Sequence, residues 1–425
     1  MTGRPQKTKC YLQISYPGDF ETAEIRDITE FSYTSDVMGV GDICSFTVVS
    51  TPDGARLRQL REGASVRAFL SNPAVNGGTW TLKHSGIIVQ RHADVQSGTI
   101  KVMVADRGWH LIHSAAPLWR RLRGLTMRDL LDPAAPAKRR FIDSTFGLVG
   151  LRTGLDANSL NRSLKLGKSG LLPPGQSPLE PVPVLQIEPG ESVFDVLSRF
   201  AMRFNLLIGV SVDDYLQAWT PNYDRAAVYS VISKKGLGSE RNTAENVQRH
   251  DDITSRYTAV TVVGEIVVPP IDTRAQGQDA FSPNANKRRG YYEAAAGLLP
   301  FNHRKTASDG EMFTGDLARR QAEWLWKRGM FDSHYLEVTL PDHYQGDQWL
   351  EADQIVDVDC PEADAVGRYY SAQVTCSSTR SEGDSTTMIL RWPHLLSASF
   401  GVWQSPPRYS GQQPKALTPG TGGGQ

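Results

Sequence analysis

Seven carboxylates fall between Asp347 and Gly367, with no Lys or Arg among them: Asp347, Glu351, Asp353, Asp357, Asp359, Glu362 and Asp364. Within "IVDVD", a strand's period of two puts Asp357 and Asp359 on one face and Val356 and Val358 on the other. Such a pair has three readings. It is a solvated outer face, a carboxylate pair for a metal or for acid–base chemistry, or the wall of an acidic channel. An i, i+2 spacing does not choose among them.

A second cluster is basic. From Leu118 to Arg140 there are seven basic residues, Arg120, Arg121, Arg123, Arg128, Lys138, Arg139 and Arg140, against two acids, Asp129 and Asp132. Arg120, Arg121, Arg123 and Arg128 suit either a solvated face or contact with an acidic partner surface. In "WHLIH", His110 and His113 have the spacing of a metal pair, but no Cys or His nearby completes a zinc site. They read as structural histidines. The sequence holds no nucleophile elbow, phosphate-binding loop, H-E-x-x-H or EF-hand pattern. No catalytic residue, metal ligand or cofactor is therefore assigned.

In "SEGDSTTMILRWP", Glu382, Gly383 and Asp384 have the residue types of a hairpin corner. Thr387, Ile389 and Arg391 then alternate with Met388, Leu390 and Trp392, and Pro393 ends the strand. By hydrophobicity, Met388, Leu390 and Trp392 are expected to pack under a helix at 317–329.

The elements that must position these residues follow from the hydrophobic periodicity. Residues 11–106 read as β, with strands at "CSFTVV", "ASVRAFL", "HSGIIVQRHA" and "GTIKVMVADR", which suggests a small barrel or sandwich. "TMRD", Thr126 to Asp129, matches a helix capping box before Leu130 and Leu131. Residues 150–190 are loop-like and rich in Gly, Pro and Ser. "ESVFDVLSRFAMRFNLLIGV" holds the clearest helix. Ser192 and Asp195 cap it, and Val193, Val196, Leu197, Phe200, Ala201 and Phe204 form one apolar stripe. A hairpin turning at Asp213-Asp214 follows. "RYTAVTVVGEIVV" reads as a strand and "DLARRQAEWLWKRGM" as a helix. On that helix Ala318, Ala322, Leu325 and Gly329 share one side. The chain then returns to β in "SHYLEVTLP", "ADQIVDVDCP", "GRYYSAQVTCSST" and "TTMILRWP".

Length and composition set the frame. The chain has 425 residues, 40% of them hydrophobic, enough for two to four domains at roughly 100–200 residues each. Lys+Arg and Asp+Glu are both 46, so no global charge draws the chain to nucleic acid or anionic membrane. The four cysteines, Cys10, Cys44, Cys360 and Cys376, form no C-x-x-C pair and read as free thiols in a reducing compartment. No apolar run reaches the length of a membrane span, and the first residues lack the apolar core of a secretory signal. The expected fold class is α+β and β-dominated. Its expected units are a first β domain over 1–110, a helical segment and loop over 111–190, a small α+β unit over 191–250, a second β domain over 251–400, and an extended tail over 401–425.

Five stretches also form an ordered set. The first runs "GVGDICSFTVV", "REGASVRAFL", "HSGIIVQ", "IKVMVADRGWHLIHSAA". The second is "PGESVFDVLSRFAMRFNLLIGVSVDDYLQAW", the third "RYTAVTVVGE" and the fourth "DLARRQAEWLWKRG". The fifth is "YLEVTLPDHYQGDQWLEADQIVDVDCP" followed by "YYSAQVTCSSTRSEGDSTTMILRWPHLL". In this order they resemble the baseplate hub proteins of contractile-tailed bacteriophages, the Mu-type hubs often labelled late-control protein D-like. The resemblance covers most of residues 30–400. The 150–190 loop and the tail have no counterpart, and Asp213-Asp214 replaces the usual Asp-Gly turn.

The resemblance implies two tail-tube-like β domains per chain, alternating around a homotrimeric ring with pseudo-sixfold symmetry. Such a ring adapts a hexameric tail tube to a trimeric central spike. The implied partners are other copies of the chain, the spike, a tube or tube-initiator protein, further baseplate proteins and the tape-measure protein, with DNA only in transit. The implied location is the virion tail baseplate, assembled in the host cytoplasm. A lumen that DNA traverses should repel phosphate rather than bind it, which favours a lumen or spike-mouth position for Asp357 and Asp359. Two other classes compete. A cell-wall-degrading tail enzyme needs a carboxylate pair or zinc ligands that the sequence does not supply. A carbohydrate-binding adsorption protein should cluster its aromatics, whereas the nine Trp are scattered.

Overall fold

The computed structural model describes residues 8–16, 22–116, 130, 152–153, 187, 189–202, 206–212, 215–219, 221, 223–236, 242–264, 289–293, 303–309, 315–379 and 383–393. The first β-rich stretch holds β1 (Lys9–Ser15), β2 (Ala23–Ile25), β3 (Ile28–Asp36), β4 (Ile43–Val49), β5 (Ser65–Ser71), β6 (Thr81–Asp94) and β7 (Thr99–Ala105), with short helices α1 (Ala55–Gln59) and α2 (Trp109–His113). A middle unit follows, with β8 (Arg152–Thr153), α3 (Val193–Met202), β9 (Leu207–Val210) and β10 (Tyr215–Trp219). Next come β11 (Tyr229–Ile232), β12 (Asn246–Asp251), β13 (Ala259–Gly264), β14 (Arg289–Glu293), β15 (Arg304–Asp309) and α4 (Gly315–Ser333). The chain ends in β16 (His334–Leu340), β17 (Tyr344–Gln345), β18 (Gln348–Trp349), β19 (Gln354–Cys360), β20 (Ala365–Thr379) and β21 (Gly383–Arg391). The protein is a β-dominated α+β fold.

Among the described residues, thirteen strands form one sheet. The first stretch contributes the order β3-β4-β7-β6-β5-β1-β2, and the last contributes β12-β16-β21-β20. β20 joins them. Its first half pairs with β19, from Ala365 to Ser371. Its second half pairs with β3, from Gln373↔Asp36 to Ser378↔Phe31. A register shift between Ser371 and Gln373 marks the change of partner, as bulges do where a strand must bend. β11 and β12, within the expected 191–250 unit, pair with β19 and β16 of the last stretch.

One core serves both β stretches. Leu12, Phe46 and Val102 share it with Leu336, Val374, Met388 and Leu390. The strands reach it by alternation, as in β16, where His334, Leu336, Val338 and Leu340 are buried and the residues between them are not. Burying each large apolar side chain contributes about 1.5–3 kcal/mol, so the two stretches stabilise each other. A tie missed by the sequence adds to this. Asp384, expected as a corner residue, has a side chain only 5% exposed. It accepts the Thr8 amide at 2.8 Å and the Ser378 hydroxyl at 2.7 Å. Gly383 is a turn residue, with φ 86, and Glu382 lies outside the described residues.

The capping box of α3 forms as its residues predict. Ser192 N donates to Asp195 Oδ2 at 2.9 Å, and Asp195 N donates to Ser192 Oγ at 3.1 Å. Val193, Val196, Leu197, Phe200 and Ala201 are buried with Leu111, Ile208 and Leu216 in a second core. Phe204, the Asp213-Asp214 turn and Thr126 to Asp129 lie outside the described residues.

α4 packs on β13 through Ala318, Ala322 and Trp326, in a third core with Val260, Ile355 and Tyr370. At Gly329 the helix approaches so closely that an added Cβ would lie 2.2 Å from Ser255 O. One expectation is corrected here. Met388 and Leu390 do not pack under this helix but point into the shared β core. Trp392 sits at the boundary of both cores, stacked on His334 with centroids 3.9 Å apart. The opposite face of β21 meets α4 instead, through Arg391, whose guanidinium donates to Phe331 O and lies over the Phe331 ring. Both faces of β21 are covered. The face with Met388 and Leu390 takes the deeper core, and the long aliphatic stem of Arg391 covers the helix contact.

Candidate functional site

The acidic run resolves into turns and one strand face. Asp353 and Asp364 adopt left-handed backbone angles, φ 60 and φ 49, a conformation that Asp tolerates better than most residues. They are turn residues that bound β19 and β20. On β19, Val356 and Val358 are buried in the core. Asp357 is exposed and Asp359 half-buried on the opposite face.

Cations distant in sequence come to this acidic run. Lys83 pairs with Glu351, Arg225 with Asp353, Lys234 with Asp359 and Arg249 with Asp364. In the sheet register, Asp357 stands between Ser230 of β11 and Arg368 of β20. The negative charge seen in the sequence is therefore largely matched in the fold. Lys83 is buried, whereas the other three pairs are partly exposed and contribute about 0–1 kcal/mol each.

His110 and His113 lie on α2, where both rings contact Trp109, at 5.5 Å and 4.2 Å between centroids. Among the described residues, no group of three His, Cys, Asp or Glu side chains is placed to hold a metal ion. Cys10, Cys44, Cys360 and Cys376 are free thiols. Arg120, Arg121, Arg123 and Arg128 lie outside the described residues.

A second acidic group escaped the sequence reading. Asp36 at the end of β3, Asp42 before β4 and Asp106 after β7 converge on a cavity of about 210 Å³. Gly209, Ser211 and Trp219 of the middle unit and Asp353 of the last stretch also line it. Asp106 organises the site. Its carboxylate accepts Gly41 N at 2.9 Å, Asp42 N at 3.0 Å and Gly108 N at 2.6 Å. Burial pushes it up to about 6, against those backbone donors. Asp42 is less well served, with Asp36 N at 3.2 and 3.4 Å from its two oxygens. Burial and the neighbouring Asp106 push it up to about 8. The only local hint was the motif "ADRGW", whose Asp and Gly suit a tight turn at a strand end. Nothing in the sequence marks the convergence.

Besides His334, two buried histidines belong to the β core. His343 Nδ1 contacts Thr386 Oγ1 at 2.8 Å, and its Nε2 lies 3.8 Å from Asp384 Oδ1. Burial brings His343 down to about 4. His84 on β6 is likewise brought down to about 4 by burial.

No family model matches the sequence, and no curated protein matches it. Solved structures do resemble it. A tail protein from Neisseria meningitidis superposes with a TM-score of 0.65 at 16% identity, over 92% of this chain and 98% of that one. The 43 kDa tail protein of prophage MuSo2 from Shewanella oneidensis gives 0.64 at 13% identity, over 91% and 99%. The Francisella PdpA-VgrG complex gives 0.53 at 11% identity, over 94% of this chain and 60% of that one. At these identities it is the architecture that is shared, over nearly the whole length of both tail proteins. The chain has the fold of phage tail proteins, as its ordered strand and helix motifs led us to expect.

Proposed function

We propose that this chain is the structural hub of a phage-type tail baseplate. Three copies form a ring that adapts a hexameric tube to a trimeric spike and surrounds the DNA path. One observation carries the reading. The sheet contains two antiparallel arrays, β12-β16-β21-β20 and β3-β4-β7-β6, placed side by side through the β20–β3 pair. Three chains present six such arrays, the number a hexameric tube requires, while keeping the threefold symmetry of a spike. The two tail-protein neighbours share this architecture end to end. The reading is that of a structural protein and assigns no catalytic group.

Within this reading, Asp357 and Asp359 face the lumen or the spike-binding mouth. Their strand turns its polar side away from the core. On this face Lys234 pairs with Asp359, and Arg368 stands opposite Asp357 in the sheet register. The segment with Arg120, Arg121, Arg123 and Arg128 is proposed to contact an acidic partner surface in the baseplate. Electron microscopy of particles carrying Asp357→Lys together with Asp359→Lys tests the placement. Intact particles that eject DNA more slowly are expected, and unchanged ejection would remove both acids from the channel. A purified-protein peptidoglycan assay tests the structural class. No turnover is expected, and turnover lost with a point substitution would replace the hub reading by an enzymatic one.

A further inference from the structure

The loop from Val37 to Asp42 enters two of the three cores and leads into the third. Val37 sits with Trp326 and Tyr370 under α4, and its amide donates to Ala372 O at 3.0 Å. Val40 sits with Leu111 and Val196 in the α3 core. Asp42 leads into β4, whose Cys44 and Phe46 lie in the shared β core. The fit is tight. A Cβ added to Gly108 would lie 2.7 Å from Val40 Cβ and 2.8 Å from Asp106 Oδ1. This loop is the fastening between the α3 unit and the β body, and the Asp42–Asp106 pair lies directly beneath it.

We propose that Asp42 and Asp106 form a proton-operated latch, which holds one proton while the loop is seated and loosens the loop when that proton leaves. Two carboxylates sharing a desolvated site cannot both ionise cheaply. The first charge belongs on Asp106, which has three backbone N–H donors. Asp42 has only the long contacts from Asp36 N and a hydrogen bond from the Ser35 hydroxyl. The charged surroundings reinforce this order. β3 supplies Asp36, and the turn before β19 supplies Asp353, so the charged groups lining the cavity are all acids. The nearby cations are engaged by Asp36 and Asp353, the other acids of the cavity. Arg328 of α4 and Arg391 of β21 act on Asp36, beside Asp332, and Arg225 pairs with Asp353. A second negative charge on Asp42 therefore meets no cation in the cavity. It is relieved by fuller hydration than the half-buried site allows, which lifting of the Val37–Asp42 loop would supply.

Because the Asp42 acid is raised above its ordinary value, its contribution to stability is present below that value. It is lost as pH rises through about 8. The latch is thus closed at neutral pH and opens on the alkaline side. It is independent of the hub assignment, since it concerns the single chain.

Hydrogen exchange of the full chain, one pH unit either side of about 8 and corrected for intrinsic rates, tests the latch. Peptides spanning 36–42 in the wild type should lose protection by roughly tenfold per pH unit up to the transition and level off above it, while β16 and β21 hold theirs. Asp42→Asn, which fixes the neutral form, should abolish that loss. Unchanged protection in the wild type, or an equal loss in Asp42→Asn, overturns the proposal. Should Asp42→Asn fail to fold, infrared spectroscopy of the wild type decides. A protonated-carboxyl band below the transition that vanishes above it supports the latch, and absence of such a band at neutral pH overturns it.

Discussion

The two acidic regions of this chain are opposites. The run from Asp347 to Asp364 is dense in sequence and dispersed in space. Its members become turn residues, ion pairs and one exposed strand face, and four of them meet Lys83, Arg225, Lys234 or Arg249. Asp36, Asp42 and Asp106 are sparse in sequence and meet in space, up to 70 residues apart along the chain. Asp106 is buried and Asp36 and Asp42 are half-buried, the charged groups lining their cavity are all acids, and at Asp106 backbone amides take the place of cations. Density in sequence marked acids that water and distant partners can satisfy. Perturbed chemistry arises where the fold forces like charges together out of solvent.

Substitutions can sharpen this contrast. The largest effect is expected at Asp106. Asp106→Ala strands the amides of Gly41, Asp42 and Gly108 in a buried site. It should cost roughly 3 kcal/mol or more, read as a lower chemical-denaturation midpoint. A cost near zero would mean that the junction is solvated and the contrast false. Next comes Gly108→Ala, which drives a methyl group into Val40 and the Asp106 carboxylate and should cost about 1–3 kcal/mol by overpacking.

Acid should act on the β core rather than on the junction. His84 and His343 are held at about 4 by burial, below the ordinary value of about 6.5. Their stabilising effect is therefore present above the ordinary value and is lost as pH falls from there toward about 4. Each should contribute roughly 1.4 kcal/mol per pH unit over that window. A thermal-melting series in which His343→Gln flattens the acid limb would support this, and an identical limb would refute it. The smallest effect is expected on β19. Asp357→Asn should change stability by within about 0.5 kcal/mol, because the side chain is exposed on the outward face.

What could be read from the sequence was what is local. The Ser192–Asp195 box, the Val193 to Ala201 stripe and the small face of α4 at Ala318, Ala322 and Gly329 each depend on neighbours within a few turns. The face alternation of β19 needed only a period of two. The unread features all depend on who pairs with whom. The division of β20 between β19 and β3, the tie from Asp384 to Thr8 and the bridge from Lys83 to Glu351 join residues far apart along the chain. Periodicity tells a strand which side is buried but not what buries it. Met388 and Leu390 were therefore assigned to the wrong cover although their burial was anticipated.

The central claim is that this β body is one third of a ring. Electron microscopy of the assembled particle tests it most directly. The account predicts three copies closed around the tail axis, with six four-stranded arrays facing the tube and a spike seated on the other side. One copy, six copies, or a position off the axis would contradict it.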